Sequence, residues 1–142
     1  MIKNIRHSGI VVNDLEASLY FYKELLGLKV IKKMDESGSY IDHMLGLKAV
    51  KVTTVKMATC DGHMIELLKY HSHESEQTAR RIYDTGLTHI AFEVDDLDSN
   101  YKRLKSQRVA FSSRPQLSPD GYAKVTFCRA PEGTFVELVE VL

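Results

Sequence analysis

The chain contains an approximate copy of itself, and that repeat limits its architecture more than any other feature. His7-Ser-Gly-Ile-Val-Val-Asn-Asp-Leu15 returns as His89-Ile-Ala-Phe-Glu-Val-Asp-Asp-Leu97. Each copy has a histidine, an apolar strand-like run, an Asp, and a Leu eight places after the histidine. The ends of the halves match as well. Gly62-His-Met-Ile-Glu66-Leu parallels Gly133-Thr-Phe-Val-Glu137-Leu, with a Glu four residues after a Gly inside an apolar run. A duplicated unit of this length cannot bury a large core alone, so two related modules are expected to share the work.

Each half reads as strand, helix, then three strands. Strands are expected near 5–12, 28–34, 51–59 and 63–70, and again near 88–94, 109–113, 122–129 and 134–141. Leu15, Leu19, Tyr22 and Leu26 recur at helical spacing, as do Leu97, Tyr101 and Leu104, which predicts helices near 15–26 and 97–106. Asp14 and Asp96 stand where an N-cap accepts from free helical N–H groups, and Gly27 stands where a helix ends. The fold class is α+β: two tandem βαβββ modules, 1–70 and 87–142, forming one curved mixed sheet around a central cleft within a single domain, 1–142. The polar stretch 71–86 reads as the linker, with helical potential over 77–83. The first half is longer by about 11 residues. The excess falls in 35–51, where strand signals are few.

Alternation along a strand sends neighbouring side chains to opposite faces. Ile65 and Leu67 oppose Glu66, Val136 and Leu138 oppose Glu137, and Ile90, Phe92 and Val94 oppose His89. His7 shares a face with Gly9, away from Ile10 and Val12. The apolar residues can cover a helix while the polar ones look the other way. The concave face would then collect His7, Glu66, His89 and Glu137. Desolvating two converging carboxylates is costly, and a divalent cation removes both the desolvation and the repulsion. Imidazole and carboxylate suit nickel, cobalt, iron, manganese or zinc. Four protein ligands in an octahedral site leave two positions for water or substrate, as Lewis-acid catalysis requires.

Composition removes other classes. Lys plus Arg number 19 and Asp plus Glu number 19, a formal net charge of zero. Nucleic-acid binding would show a basic excess, so no nucleic-acid partner is expected. No apolar run approaches the roughly 20 residues of a membrane span. The N-terminus leads straight into strand-like sequence, so no signal peptide is expected. Two cysteines, Cys60 and Cys128, form no disulfide framework, and reduced thiols in a cytoplasm are the simplest expectation, with a periplasmic location the alternative. Neither has a base nearby in sequence to make it a nucleophile. His43, His63, His71 and His73 lie in or beside loops and read as solvated. Tyr20-Phe21-Tyr22 reads as helix core.

These features together resemble the vicinal oxygen chelate superfamily, which includes glyoxalase I. The marks are His7 with Asp14-Leu15, Phe21-Tyr22 with Leu26-Gly27-Leu28, Ile65-Glu66-Leu67, His89-Ile-Ala-Phe, and Pro131-Glu-Gly with Val136-Glu137-Leu138-Val139-Glu140. The resemblance implies paired modules, a metal in the cleft and a homodimer. The ligand set His7, Glu66, His89 and Glu137 is similar to that of bacterial glyoxalase I, which implies one divalent metal per site, nickel or cobalt ahead of zinc, manganese or iron.

The implied activity is that of a lyase or isomerase acting on a small-molecule carbonyl or thioester substrate. A proton moves beside a carbonyl through a metal-bound enediolate. Glu137 is implied as the base and Glu66 as its partner on the opposite face. Val11 stands where glutathione-using relatives often carry Arg; Arg6, Lys69, Arg114 and Lys124 are the cations that remain as substitutes. Methylmalonyl-CoA epimerase is also similar, usually with Gln at the position of Glu66. Metal-free drug-binding members are the alternative of another class.

Overall fold

The computed structural model describes residues 1–142. The chain divides into two compact units, Met1–Gln77 and Thr78–Leu142.

In the first unit, β1 (Ser8–Val11) leads to α1 (Leu15–Leu19), which widens into π-helical turns over Tyr20–Leu25. β2 (Lys29–Ser37), α2 (Ser39–Leu45), β3 (Lys51–Ala58) and β4 (Met64–Tyr70) follow. The sheet order is β1-β4-β3-β2. β1 runs parallel to β4, and the other pairs are antiparallel. Asp14 caps α1 as expected, accepting from Ala17 N–H at 3.0 Å. Gly27 takes φ +82 just past the helix, a conformation that costs glycine nothing.

The buried helix face is turned from the expected one. Leu15, Ser18, Phe21, Tyr22 and Leu25 are buried, whereas Leu19 and Leu26 are half-buried. The π-helical widening changes the angular step after Leu19, so spacing extrapolated at 3.6 residues per turn drifts off the core. The bond from Leu26 N–H to the Phe21 carbonyl, 2.9 Å and five residues back, marks that widening.

The extra length of the first half is structured. β2 continues to Ser37, and α2 follows as an unforeseen helix with Gly46 in the left-handed region at its end. Ile41 of α2 packs with Val50 and Val52 against Leu68 and Tyr70. The Asp42 carboxylate accepts from Ala49 and Val50 N–H at 2.9 and 2.8 Å and so ties the helix to the strand that follows.

The second unit holds β5 (His89–Glu93), α3 (Leu97–Ser106), β6 (Ala110–Phe111), β7 (Gln116–Leu117), β8 (Ala123–Arg129) and β9 (Phe135–Val141). Its order is β5-β9-β8-β6, with β7 also beside β8, and β5 runs parallel to β9. Asp96 caps α3 by accepting from Ser99 N–H at 3.0 Å. The strands thus hydrogen-bond as two mixed sheets, one per βαβββ module, where a single curved sheet was expected. No helix forms over 77–83. A turn closed by the Asp84 carboxylate, which accepts from Arg81 N–H at 2.7 Å and Nε at 2.8 Å, takes its place.

The expected alternation holds on the strands that carry the glutamates. Ile65, Leu67, Val136 and Leu138 are all buried. Each such side chain contributes about 1.5–3 kcal/mol on leaving water. Ile90, Phe92 and Val94 are only half-buried, because β5 is the terminal strand of its ladder. No helix is long and apolar enough to cross a membrane.

Candidate metal centre

The parallel ladders do the positioning. In the first module Gly9 lies in register with Glu66; in the second Ala91 lies in register with Glu137. Each histidine sits two residues before that small residue, so it shares the face of the glutamate on the neighbouring strand. His7 Nε2 meets Glu66 Oε2 at 2.8 Å, and His89 Nε2 meets Glu137 Oε2 at 3.3 Å. The repeat in sequence is thus a repeat in register, with one imidazole–carboxylate pair in each module.

The small residue gives the pair its opening. A Cβ placed on Gly9 would touch Leu68 Cδ1 at 3.4 Å, ordinary contact, and Ala91 already carries one. A longer side chain at either position would project beside the glutamate.

Burial differs between the pairs. The Glu66 side chain is 11% exposed and Glu137 22%. Buried acid of this kind demands compensation. Glu66 receives it from His7 at 2.8 Å, while Lys56 Nζ stands farther off, 3.8 Å from Oε1. Beside Glu137 the corresponding position is Phe127, in register with Glu137 as Lys56 is with Glu66. The Phe127 ring meets His89 edge-on with centroids 5.4 Å apart.

Imidazole nitrogen and carboxylate oxygen are donor types that suit a divalent cation. Adjacent ligand atoms of an octahedral site with bonds near 2.1 Å lie about 3.0 Å apart. The two observed N···O separations, 2.8 and 3.3 Å, bracket that edge. His89 Nδ1 has the Thr88 hydroxyl at 3.1 Å, an outer partner that leaves Nε2 free to ligate. His7 Nδ1 is buried without a partner, so its imidazole orientation rests on the Nε2 side alone. No group of three or more His, Cys, Asp or Glu side chains gathers as a metal site.

The other candidates are otherwise engaged. His63 Nδ1 bonds Asp61 at 2.8 Å, and the Thr59 hydroxyl and His63 hold the Asp61 carboxyl down at about 2. His71 Nε2 meets the Thr53 hydroxyl at 2.8 Å, and His73 meets Ser72 at 2.8 Å. His71 and Thr53, with Asp35 and Lys69, line a groove of 840 Å³. By strand parity it lies on the opposite face from Glu66. Its polar core is internally satisfied, since Thr53 also bonds Asp35, so the glutamate face is the better candidate. Burial pushes the Cys128 thiol up to about 12, which removes it as a nucleophile. Among the cations named as substitutes for Arg, Lys124 is bound to Asp98 at 2.8 Å, and Lys69 sits on the wrong face.

Sequence reasoning missed Lys56. Its signal was available: a lysine inside Val52-Thr-Thr-Val-Lys-Met57, on the parity opposite Val55 and Met57. Recognising it required the β3–β4 register, which no local pattern supplies.

Comparison with known proteins agrees with this architecture. Residues 4–138 match the family model of the Glyoxalase/Bleomycin resistance protein/Dioxygenase superfamily. The uncharacterized protein YwbC of Bacillus subtilis (strain 168) is 27% identical, over 99% of each chain. A lactoylglutathione lyase of Pseudomonas putida is 28% identical, covering 94% of this chain and 83% of that one. Among solved structures, a glyoxalase family protein from Bacillus cereus superposes with a TM-score of 0.90 at 22% identity, covering 100% of this chain and 96% of the other. With a family match along nearly its whole length and the βαβββ module formed twice, the chain belongs to the Glyoxalase/Bleomycin resistance protein/Dioxygenase superfamily.

Proposed function

We propose that the protein is a metal-dependent lyase or isomerase of the glyoxalase I type, moving a proton between the carbons of a small carbonyl compound or hemithioacetal. The observation that carries this reading is the pair of His–Glu contacts in matching registers, His7 with Glu66 and His89 with Glu137, at separations close to an octahedral edge. In this reading His7, Glu66, His89 and Glu137 are ligands of a divalent cation, nickel or cobalt first, in a cytoplasmic homodimer. When bound, the cation supplies Lewis-acid polarisation of the carbonyl oxygen.

The chain's own groups do the proton transfer. Glu137 is the more exposed carboxylate and has an aromatic ring rather than a cation beside it, so it is the freer base. It removes the proton from the hydroxyl-bearing carbon and returns it to the adjacent carbonyl carbon, while the hydroxyl proton passes from the oxygen that becomes the new carbonyl to the oxygen that becomes the new hydroxyl. R–CO–CH(OH)–SR′ becomes R–CH(OH)–CO–SR′, and no redox partner is needed. Glu66 is its counterpart on the other face of the substrate. A positioned base contributes about 10²–10⁴-fold.

Two measurements test this. Nickel stoichiometry is expected to fall in Glu137→Ala relative to the wild type; equal occupancy removes Glu137 from the site. Turnover of the methylglyoxal–glutathione hemithioacetal is expected with nickel or cobalt, and none with nickel, cobalt or zinc sinks the glyoxalase assignment. Val11, 51% exposed on β1, offers no cation to glutathione, which favours a thioester epimerase as the second reading. Deuterium exchange from solvent into a panel of acyl thioesters decides between them.

A further inference from the structure

Lys56 breaks the symmetry of the two modules at one position. The first module carries, across the sheet, the row Lys32–Lys56–Glu66–Gly9. The second carries Phe127–Glu137–Ala91 at the matching places. A bulge at Ile31 brings Lys32 into register with Lys56, so the lysines are neighbours on this face. The small residue and the glutamate are kept between modules; the residue across from the glutamate is not.

Neutralising Glu66 does not account for the lysine. Glu66 already has His7 at 2.8 Å, and the 3.8 Å contact with Lys56 is too long for a hydrogen bond. The three N–H donors of the ammonium therefore remain for another acceptor. The side chain is 31% exposed, so that acceptor can arrive from solution. α2 covers the other end of the face through Ile41, Val52 and Tyr70, which leaves the Lys56–Glu66 end accessible. A dication with two carboxylates sums to zero charge, and Lys56 then leaves the site positive, with Lys32 adding to the field. Such a site attracts an anion.

We propose that Lys56 selects substrates bearing an anionic oxygen group, a carboxylate or a phosphate, within a few bonds of the reacting carbonyl. The inference rests on the metal reading above. The strand spacing of about 4.8 Å between Lys56 and Glu66 sets the short reach.

The test is calorimetric binding to the nickel-loaded protein of three chelating probes: neutral acetohydroxamate, malonohydroxamate with a carboxylate, and phosphonoacetohydroxamate with a phosphonate. One acidic probe is expected to bind at least about tenfold tighter than acetohydroxamate. Lys56→Met, which keeps the apolar stem, is expected to erase that preference while nickel stoichiometry, melting temperature and acetohydroxamate affinity stay unchanged. Lys56→Arg is expected to restore part of it. Which acidic probe gains identifies the group. Equal affinity for all three probes in the wild type, or an unchanged preference in Lys56→Met, overturns the role of Lys56 alone. Failure to take up nickel overturns the metal reading and this inference together.

Discussion

Gly9 and Ala91 occupy equivalent places beside the two glutamates, and what they lack matters as much as what the glutamates carry. Gly9→Ala is expected to be neutral or to stabilise by up to about 1 kcal/mol, because glycine in a strand costs backbone entropy and the new Cβ meets only ordinary contact. Gly9→Leu is expected to fill the space beside Glu66 and weaken nickel binding at least about tenfold, read by calorimetry. The thiols separate by environment. Cys60 is exposed and Cys128 buried, its thiol raised to about 12, so a thiol reagent at pH 8 is expected to label Cys60 alone until denaturant is added. At this scale the sequence was informative wherever a residue's meaning lay in the repeat. The contacts of His7 with Glu66 and of His89 with Glu137 were readable from type, spacing and parity. Lys56 was not, because its neighbour across the sheet depends on the β3–β4 register.

Among the elements, the caps were legible and the helix faces less so. Asp14 and Asp96 were identified by their place before an apolar period, and both accept the expected N–H. Asp96→Ala is expected to lower the midpoint of chemical denaturation. The Ser99 hydroxyl and N–H hold the Asp96 carboxyl below its ordinary value of 3.8. Its contribution is therefore complete above that value and lost as pH falls through the lower folded-state value. Asp96→Asn, which also caps, is expected to flatten that acid limb when unfolding is compared at pH 7 and pH 3. The elements that escaped the sequence share a cause. The π-helical turns at Tyr20–Leu25 have a period of their own, and α2 is short, bounded by glycines and amphipathic only in part. The short α2 depends on tertiary support from Ile41 and Asp42, which local pattern does not reveal. Conversely, helical potential at 77–83 was too weak to survive without an apolar surface to cover.

For the molecule as a whole, the metal proposed above would be linked to stability. A cation that binds only the folded protein adds about 4 kcal/mol when present at a thousandfold excess over its dissociation constant. Nickel is therefore expected to raise the melting temperature of the wild type, and the rise is expected to vanish in the double variant His7→Ala, His89→Ala. An equal rise in both proteins would place the ion elsewhere.

The parallel pairing of β1 with β4 and of β5 with β9 has a kinetic consequence. Each ladder joins the first and last strands of its module, so 59 residues separate His7 from Glu66 and 48 separate His89 from Glu137. Contacts so distant along the chain close late, after nearer hairpins have shortened the path. The difference in loop length changes the closure entropy by only about 0.2 kcal/mol, so neither module has a head start on that ground. Each donor pair therefore comes into being only when its own module has closed, as a late product of that module's folding.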